Sequence, residues 1–176
     1  MPHPGYRWRL VTFSTKGSWL PGDPRGWRTR RHRRHSSGDY KHPPPAGEHA
    51  GLYSYCQKRN GGEIELPAAL RGTVGQAMLA YLREAGIRVL AVAVRARHVH
   101  LLAELPDTMP LMRVIIGHAK RKSSRAIKAQ LPGKVWAPGG DFEPVEDPRP
   151  AQCLGVRAPQ TGAGRLVVVV QAGGCA

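Results

Sequence analysis

The sequence predicts an α+β domain built on an antiparallel sheet, with a long basic insertion after the first strand. Along most of the 176 residues, apolar runs of strand length alternate with segments of helical periodicity. The hydrophobic fraction of 41% is enough for a core, while 21 Gly and 16 Pro residues indicate many turns and irregular segments. One compact core with long loops is therefore expected.

The first strand and the insertion are predicted from residue types. Tyr6 to Ser14 is rich in aromatic and β-branched residues, which is typical of a strand. Residues 17–51 follow with GSWLPGDPRGW, a run of cations and three consecutive prolines, so they are predicted to lack regular structure. A loop of this length in a compact domain is usually functional or disordered.

The remaining elements follow from periodicity and end signals. A helix is predicted from Pro67 to Ala85, and a hairpin from the apolar runs Ile87 to Val94 and Arg97 to Leu105. A second helix from Pro110 to Gln130 and a last strand from Lys134 to Val145 complete the order. This order predicts a ferredoxin-like (RRM-like) sandwich, with both helices on one face of the sheet.

Charge limits the partners. With 27 Lys and Arg against 12 Asp and Glu, the formal charge is +15, which favours a polyanionic partner. No stretch approaches the roughly 20 apolar residues of a membrane span, so we expect no membrane partner and a cytoplasmic, nucleoid-associated location. The three cysteines, at 56, 153 and 175, are too widely spaced for a paired zinc motif and are interpreted as free thiols.

Two segments concentrate the cations. The first lies in the insertion, where we interpret six arginines as nucleic-acid contacts, although a disordered loop that only aids solubility is the alternative. These are Arg25, Arg28, Arg30, Arg31, Arg33 and Arg34.

The second segment, residues 113–134, has seven cations and no acid. At 100° per residue the apolar side chains between Met112 and Ile127 fall on an arc of about 120°, and the helical cations fall on the remaining arc. The apolar set is Met112, Ile115, Ile116, Ala119, Ala126 and Ile127. The cations that we expect to face phosphates are Lys120, Arg121, Lys122, Arg125 and Lys128.

His98 and His100 are the candidate metal ligands. They lie two residues apart on a predicted strand, so both side chains project from one face with Cα atoms about 7 Å apart. Two neutral imidazoles can converge on a divalent ion if a third ligand comes from elsewhere. Two satisfied or solvent-facing histidines are the alternative.

Four tracts add a family resemblance. LAVAV at 90–94, HVHLL at 98–102, GSWLPGDPRGW at 17–27 and VWAPGG at 135–140 resemble the HUH single-strand tyrosine transposases, of the insertion-sequence and REP-associated kind. The resemblance covers roughly residues 6–148 and implies a ferredoxin-like, usually homodimeric domain. It implies that His98 and His100 are catalytic residues that bind Mg²⁺ or Mn²⁺. The partner would be single-stranded or hairpin DNA, cleaved through a covalent 5′-phosphotyrosine.

The sequence departs from that family at two places. Many relatives have Met-Pro-Asn where this chain has Arg95-Ala96-Arg97. The family tyrosine would fall in residues 150–161, yet PAQCLGVRAPQT contains none, and all five tyrosines of the chain precede His98. Residues 1–148 are therefore expected to form the transposase-like domain, and residues 149–176 an atypical tail that is disordered or frameshifted.

Two explanations for the tail remain open. Read from the second base of each codon, the genetic code permits LVVVVQ at 166–171 to encode Trp-Ser-Trp-Ser-Phe, which resembles the ending of relatives. Alternatively, the tail is native and the chain is a non-catalytic basic DNA- or RNA-binding protein on the same scaffold. The expected function is transposase-like strand cleavage and rejoining that is defective here without its tyrosine, so enzymatic activity stays open.

Two weaker candidate sites complete the predictions. The acids at 141, 143, 146 and 147 could serve a carboxylate-metal nuclease, but a solvated turn is the more ordinary interpretation. Trp19, Trp27 and Trp136 lie near cations and could stack on unpaired bases. For Trp136, anchoring in the core is the alternative.

Overall fold

A computed structural model describes residues 2–28, 34–38, 42–146 and 166–169. The chain divides into two compact units. The sheet unit comprises residues 1–14 and 65–176, and the insertion unit comprises residues 15–64. The insertion unit therefore starts directly after the first strand.

In chain order the described elements are β1 (Tyr6–Ser14), α1 (Ala50–Asn60), α2 (Ala68–Glu84), β2 (Val89–Val94), β3 (His98–Pro106), α3 (Met109–Ala126), β4 (Asp141–Pro144) and β5 (Leu166–Val169). The strands form one sheet in the order β4-β1-β3-β2-β5, and every neighbouring pair is antiparallel. The predicted α+β class with an antiparallel sheet is confirmed.

The bounds of most elements are close to those predicted. β1 has the predicted limits, and α2 differs from its predicted range by one residue at each end. The last predicted strand is shorter in the structure, because Pro138, Gly139 and Gly140 precede β4 and leave only Asp141–Pro144 paired with β1. The predicted tail, residues 149–176, lies outside the described residues except for β5, whose backbone pairs with β2 at the sheet edge. That pairing was not predicted.

The core of the sheet unit lies between the sheet and the two helices α2 and α3. Val99 and Leu101 alternate with the histidines of β3 and are at most 1% exposed. From the helices, buried apolar side chains recur at helical spacing: Val74, Met78, Leu79 and Leu82 from α2, and Met112, Ile116 and Ala119 from α3. Full burial of each larger side chain stabilises the fold by roughly 1.5–3 kcal/mol. This packing fixes which face of β3 the histidines occupy.

The insertion unit contains more regular structure than predicted. It extends past residue 51 to Ile64 and includes α1, which buries no residue fully. Its first part is a chain of tight turns, in which Gly22 has a φ of 89° and lies against the backbone of α1. A Cβ at Gly22 would come within 2.5 Å of the Tyr53 nitrogen, so only glycine fits there.

Candidate functional site

The two predicted metal ligands lie side by side on the open face of the sheet. Because Val99 and Leu101 point into the core, His98 and His100 project from the opposite face of β3. Their ring centroids are 4.8 Å apart, with the ring planes inclined by 76°. On β1, Ser14 is paired with His98, and Thr12 with His100. The structure therefore brings the predicted pair together within a short polar strip.

A hydrogen bond orients one of the two rings. Thr12 Oγ1 lies 3.0 Å from His100 Nδ1. A bond at one ring nitrogen fixes the orientation of an imidazole and directs its other nitrogen, Nε2, to any metal. Sequence reasoning missed Thr12, because only the register of β1 against β3 places it opposite His100.

The second imidazole is held in its neutral form. Partial burial lowers the pKa of His98 below its ordinary value of 6.5, and the nearby His100 and Arg95 lower it further. A neutral imidazole has a lone pair for a metal or a proton at neutral pH. The backbone carbonyl of His98 accepts a bond from the Arg95 nitrogen, but its imidazole forms no hydrogen bond with any residue that the structure describes.

Among the residues that the structure describes, no third protein ligand lies near this pair. Within residues 2–28, 34–38 and 42–146, no group of three or more His, Cys, Asp or Glu side chains is arranged to hold a metal ion. Asp141 is in register with Thr12, but its side chain is exposed and accepts a bond from the Phe142 nitrogen. The acids Glu143 and Glu146 are also exposed, and Asp147 lies outside the described residues. The arrangement offers two nitrogen ligands from protein.

The other end of the same face is closed. Trp8, Leu90 and Leu102 form a buried apolar cluster there, next to Glu104, which is 1% exposed. Arg88 donates to one carboxylate oxygen of Glu104, and the backbone nitrogen of His3 donates to the other. Burial opposes ionisation of Glu104, but these hydrogen bonds outweigh it and lower its pKa to about 2. Sequence reasoning assigned no role to this carboxylate.

The cations of α3 and of the segment from Ile127 to Lys134 that follows it are exposed, with one exception. Those with exposed side chains are Arg113, Arg121, Lys122, Arg125, Lys128 and Lys134. None of these six forms an ion pair with an acid among the described residues, and residues 108–140 contain no acid at all. The helix thus presents uncompensated positive charge on the side that is not packed.

Lys120 is the exception, and its predicted role is wrong. Its side chain is 8% exposed, and the ammonium donates to the carbonyls of Ala137 and Gly139 and lies 4.5 Å from the centre of the Phe13 ring. Burial lowers the pKa of Lys120 to about 8. The helical angle of Lys120 predicts an outward position, but its long side chain reaches to the carbonyls of the segment before β4. Lys120 therefore holds the segment before β4 and does not face solvent.

The basic segment of the insertion unit is described in part. Arg30, Arg31 and Arg33 lie outside the described residues. Arg28 and Arg34 are exposed, and the backbone of Arg28 bridges to that of His35. The predicted contact Arg25 is ion-paired with Asp23, with 2.6 Å between Nη2 and Oδ2, and stays 45% exposed. The phosphate contacts predicted here remain predictions.

The described tyrosines of the sheet unit do not approach the histidines. Tyr81 stacks on His118 between α2 and α3, with centroids 5.8 Å apart, so it belongs to the helix layer. Tyr6 lies six residues before Thr12 on β1, which is roughly 20 Å along a strand. In the insertion unit, Tyr53 and Tyr55 lie on α1, whereas Tyr40 lies outside the described residues.

Comparison with known proteins yields no family. No model of a protein family matches the chain, and no curated protein matches it. Among the helices that the structure describes, none has both the length and the apolar composition needed to cross a bilayer. Of the three predicted free thiols, Cys56 is free and half-buried on α1, and the other two lie outside the described residues.

Proposed function

We propose that the chain is a transposase-like protein of the HUH single-strand type, which binds single-stranded or hairpin DNA together with a divalent metal ion. The observation that carries the proposal is the pair of imidazoles on one face of β3, with ring centroids 4.8 Å apart. The order β4-β1-β3-β2, with α2 and α3 in the crossovers, supports a ferredoxin-like scaffold. The proposal includes association with the nucleoid, because DNA is the proposed partner. It also includes the homodimer that the resemblance implies.

His98 and His100 fit a metal ion as two of its ligands. Burial keeps His98 neutral, and Thr12 orients the ring of His100, which are the two conditions that metal-ligating histidines usually meet. Water or phosphate oxygens would complete the coordination, because the described residues supply no third ligand. When bound, Mg²⁺ or Mn²⁺ would polarise a phosphodiester held at this face. Mn²⁺ is the better probe, since Mg²⁺ prefers oxygen ligands.

The distribution of charge favours DNA that has both a hairpin and a single-stranded segment. The histidines lie on the open face of the sheet, whereas the exposed cations of α3 lie in the helix layer on the other side. A hairpin with a single-stranded extension offers a separate segment to each side. Contacts to phosphates by exposed Arg and Lys side chains make such binding strongly dependent on salt.

Strand cleavage is absent from the proposed activity. No tyrosine follows His100 in the sequence, and the ring of Tyr81 stacks on His118 in the helix layer. A hydroxyl that cannot reach the scissile phosphate cannot form a covalent intermediate. We therefore expect reversible binding without a covalent protein–DNA product.

Fluorescence anisotropy with a labelled single-stranded oligonucleotide tests this proposal. The wild-type chain should bind more tightly with Mn²⁺ than with EDTA, and the double variant His98→Ala and His100→Ala should bind equally in both. His118→Ala, which removes an exposed histidine of α3, is the matched control and should keep the metal effect. Wild-type binding that is the same with Mn²⁺ and EDTA would support the alternative, a metal-independent DNA- or RNA-binding protein. Absence of binding to any nucleic acid would reject both, and sedimentation of the wild-type chain tests the homodimer.

A further inference from the structure

Trp19 is an exposed aromatic residue with an unusually ordered neighbour. Its side chain is 59% exposed, whereas Trp8 and Trp136 of the sheet unit are buried. The guanidinium carbon of Arg25 lies 4.6 Å from the centre of the Trp19 ring. One side of the indole therefore faces a cation, while most of its surface stays open to solvent.

Arg25 is fixed in this position by hydrogen bonds. Its Nε donates to Asp23 Oδ1 at 2.9 Å, and its Nη2 donates to Asp23 Oδ2 and to the Ser18 carbonyl, both at 2.6 Å. Asp23 is 1% exposed, so the carboxylate that anchors the guanidinium is itself held in the structure. An exposed arginine ordinarily loses considerable side-chain entropy when it binds. Here that ordering is already complete before any partner arrives.

Two successive turns build the arrangement from the sequence. The Asp23 nitrogen donates to the Leu20 carbonyl, and the Gly26 nitrogen donates to the Asp23 carbonyl, both at 3.0 Å. Proline stands second in each turn, and Gly22 supplies the positive φ that the third position of a type II turn requires. Asp23 closes the first turn and opens the second. The motif LPGDPRG thus places Arg25 back over Trp19.

We propose that Trp19, Asp23 and Arg25 form a stacking platform for an unpaired nucleobase of single-stranded nucleic acid. The open indole surface supplies the stacking partner, since every base has a π face. Nη1 of Arg25 has no acceptor among the residues that the structure describes, so it is placed to donate to a phosphate or a base edge. Asp23 acts as a positioning residue for Arg25.

The charge of Arg25 excludes other ligands of aromatic surfaces. A methylated ammonium group would be repelled by the guanidinium that already lies over the ring. Proline-rich peptides bind in grooves lined by several aromatic side chains, whereas Trp19 is paired with a cation. A planar, anion-bearing ligand satisfies both parts of the platform. The formal charge of +15 favours a polyanion of this kind over a single nucleotide.

This inference rests on the proposed function, because it takes single-stranded DNA as the partner. A pair of oligomers, one with bases and one without, distinguishes failure of the platform from failure of the proposed function. Binding is measured by anisotropy to a base-bearing oligonucleotide and to an abasic deoxyribose-phosphate oligomer of equal length. Trp19→Ala should weaken binding of the base-bearing strand by roughly 5-fold to 150-fold and leave the abasic strand unchanged. Trp19→Leu should behave like Trp19→Ala, and Trp19→Phe should retain most of the affinity, because only Phe preserves a π face.

Tyr55 provides a matched control. It is 57% exposed in the same unit, and Arg59 lies 5.6 Å from the centre of its ring, held by a bond to the Tyr55 hydroxyl and not by a buried acid. Tyr55→Ala should leave binding of both strands unchanged. An equal loss in Tyr55→Ala and Trp19→Ala would overturn the platform, because any exposed aromatic residue would then do.

Tryptophan emission gives a second readout. Stacking of a base should quench the emission of the wild-type chain, and Trp19→Phe should bind with little quenching. The platform is overturned if Trp19→Ala binds the base-bearing strand as the wild-type chain does, or loses equal affinity for both strands. In either case the wild-type chain would still bind, and the comparison of Mn²⁺ with EDTA would still decide the proposed function. If the wild-type chain binds neither strand, both proposals fail together.

Discussion

Glu104 and the pair His98 and His100 lie at opposite ends of the same face of β3. The carboxylate is surrounded by hydrogen-bond partners, whereas the two imidazoles keep access to solvent. At one end, Glu104 is 1% exposed and its two oxygens are bonded to Arg88 and to the His3 backbone. At the other end, His98 and His100 are half-exposed, contact each other, and have Thr12 as a hydrogen-bond partner of one ring. On β1, the residues paired with the histidines are Ser14, opposite His98, and Thr12, opposite His100.

The difference shows how to interpret a polar residue on an apolar strand. A buried carboxylate is tolerated when its hydrogen bonds and ion pairs are complete, and such a group stabilises the fold. A pair of imidazoles that burial keeps neutral and that retains access to solvent can still take a ligand. Three experiments ask whether the two ends of the strand differ as this comparison requires.

The largest effect is expected on stability. Glu104→Ala should lower the free energy of unfolding by about 2 kcal/mol, because it removes the carboxylate that accepts bonds from the His3 backbone nitrogen and from Arg88 Nε. The penalty stays below that of a fully buried pair, since Arg88 is 42% exposed and can be hydrated. His98→Ala should change stability by less than about 1 kcal/mol. Urea denaturation measures both, and equal losses would contradict the comparison.

Acid should act on the two ends in different pH windows. The folded pKa of His98 is lowered, so the unfolded chain takes up its proton first and stability falls as the pH drops below 6.5. The folded pKa of Glu104 is lowered from 4.5 to about 2, so its contribution is complete above 4.5 and is lost toward 2. Unfolding free energies measured against pH should lose the first decline in His98→Ala and the second in Glu104→Gln. If the same window disappeared in both variants, the assignment would be wrong.

Much of the fold followed from sequence, because periodicity and end signals act locally. The strand β1, the helix α2 and the central hairpin were placed within a few residues, and the histidines were placed on one face by the alternation of a strand. The helix α1 was missed, because it buries no residue fully and so has no apolar stripe to reveal it.

The missed and mistaken residues depend on contacts between distant parts of the chain. Glu104 is bonded to His3, 101 residues earlier, and no spacing in the sequence points to that partner. Lys120 was predicted to face phosphates, because a helical angle says nothing of how far a lysine stem reaches. Arg25 was assigned as a cation of the basic loop, and only the two turns around Asp23 show that it is fixed over Trp19.

The smallest effect concerns neighbouring cations of α3 and extends the same contrast to the helix. Arg121 is exposed, so Arg121→Gln should reduce the slope of log affinity against log salt for single-stranded DNA by about 0.7. Lys120→Met should leave that slope unchanged and should instead cost about 1 kcal/mol of stability, because the carbonyls of Ala137 and Gly139 lose their donor. Anisotropy over a salt series and urea denaturation give the two readouts. If Lys120→Met reduced the salt slope as much as Arg121→Gln does, Lys120 would contact DNA as Arg121 does, and the contrast between the two residues would be wrong.

Direct binding of Mn²⁺ to the DNA-free chain, followed by electron paramagnetic resonance, tests the central claim that the two imidazoles form a ligand pair. The wild-type chain and Glu104→Gln should bind the ion saturably and with equal affinity, because Glu104 lies at the closed end of the face. The double variant His98→Ala and His100→Ala should lose that binding. Saturable binding that survives in the double variant, or is absent from the folded wild-type chain, would contradict the account.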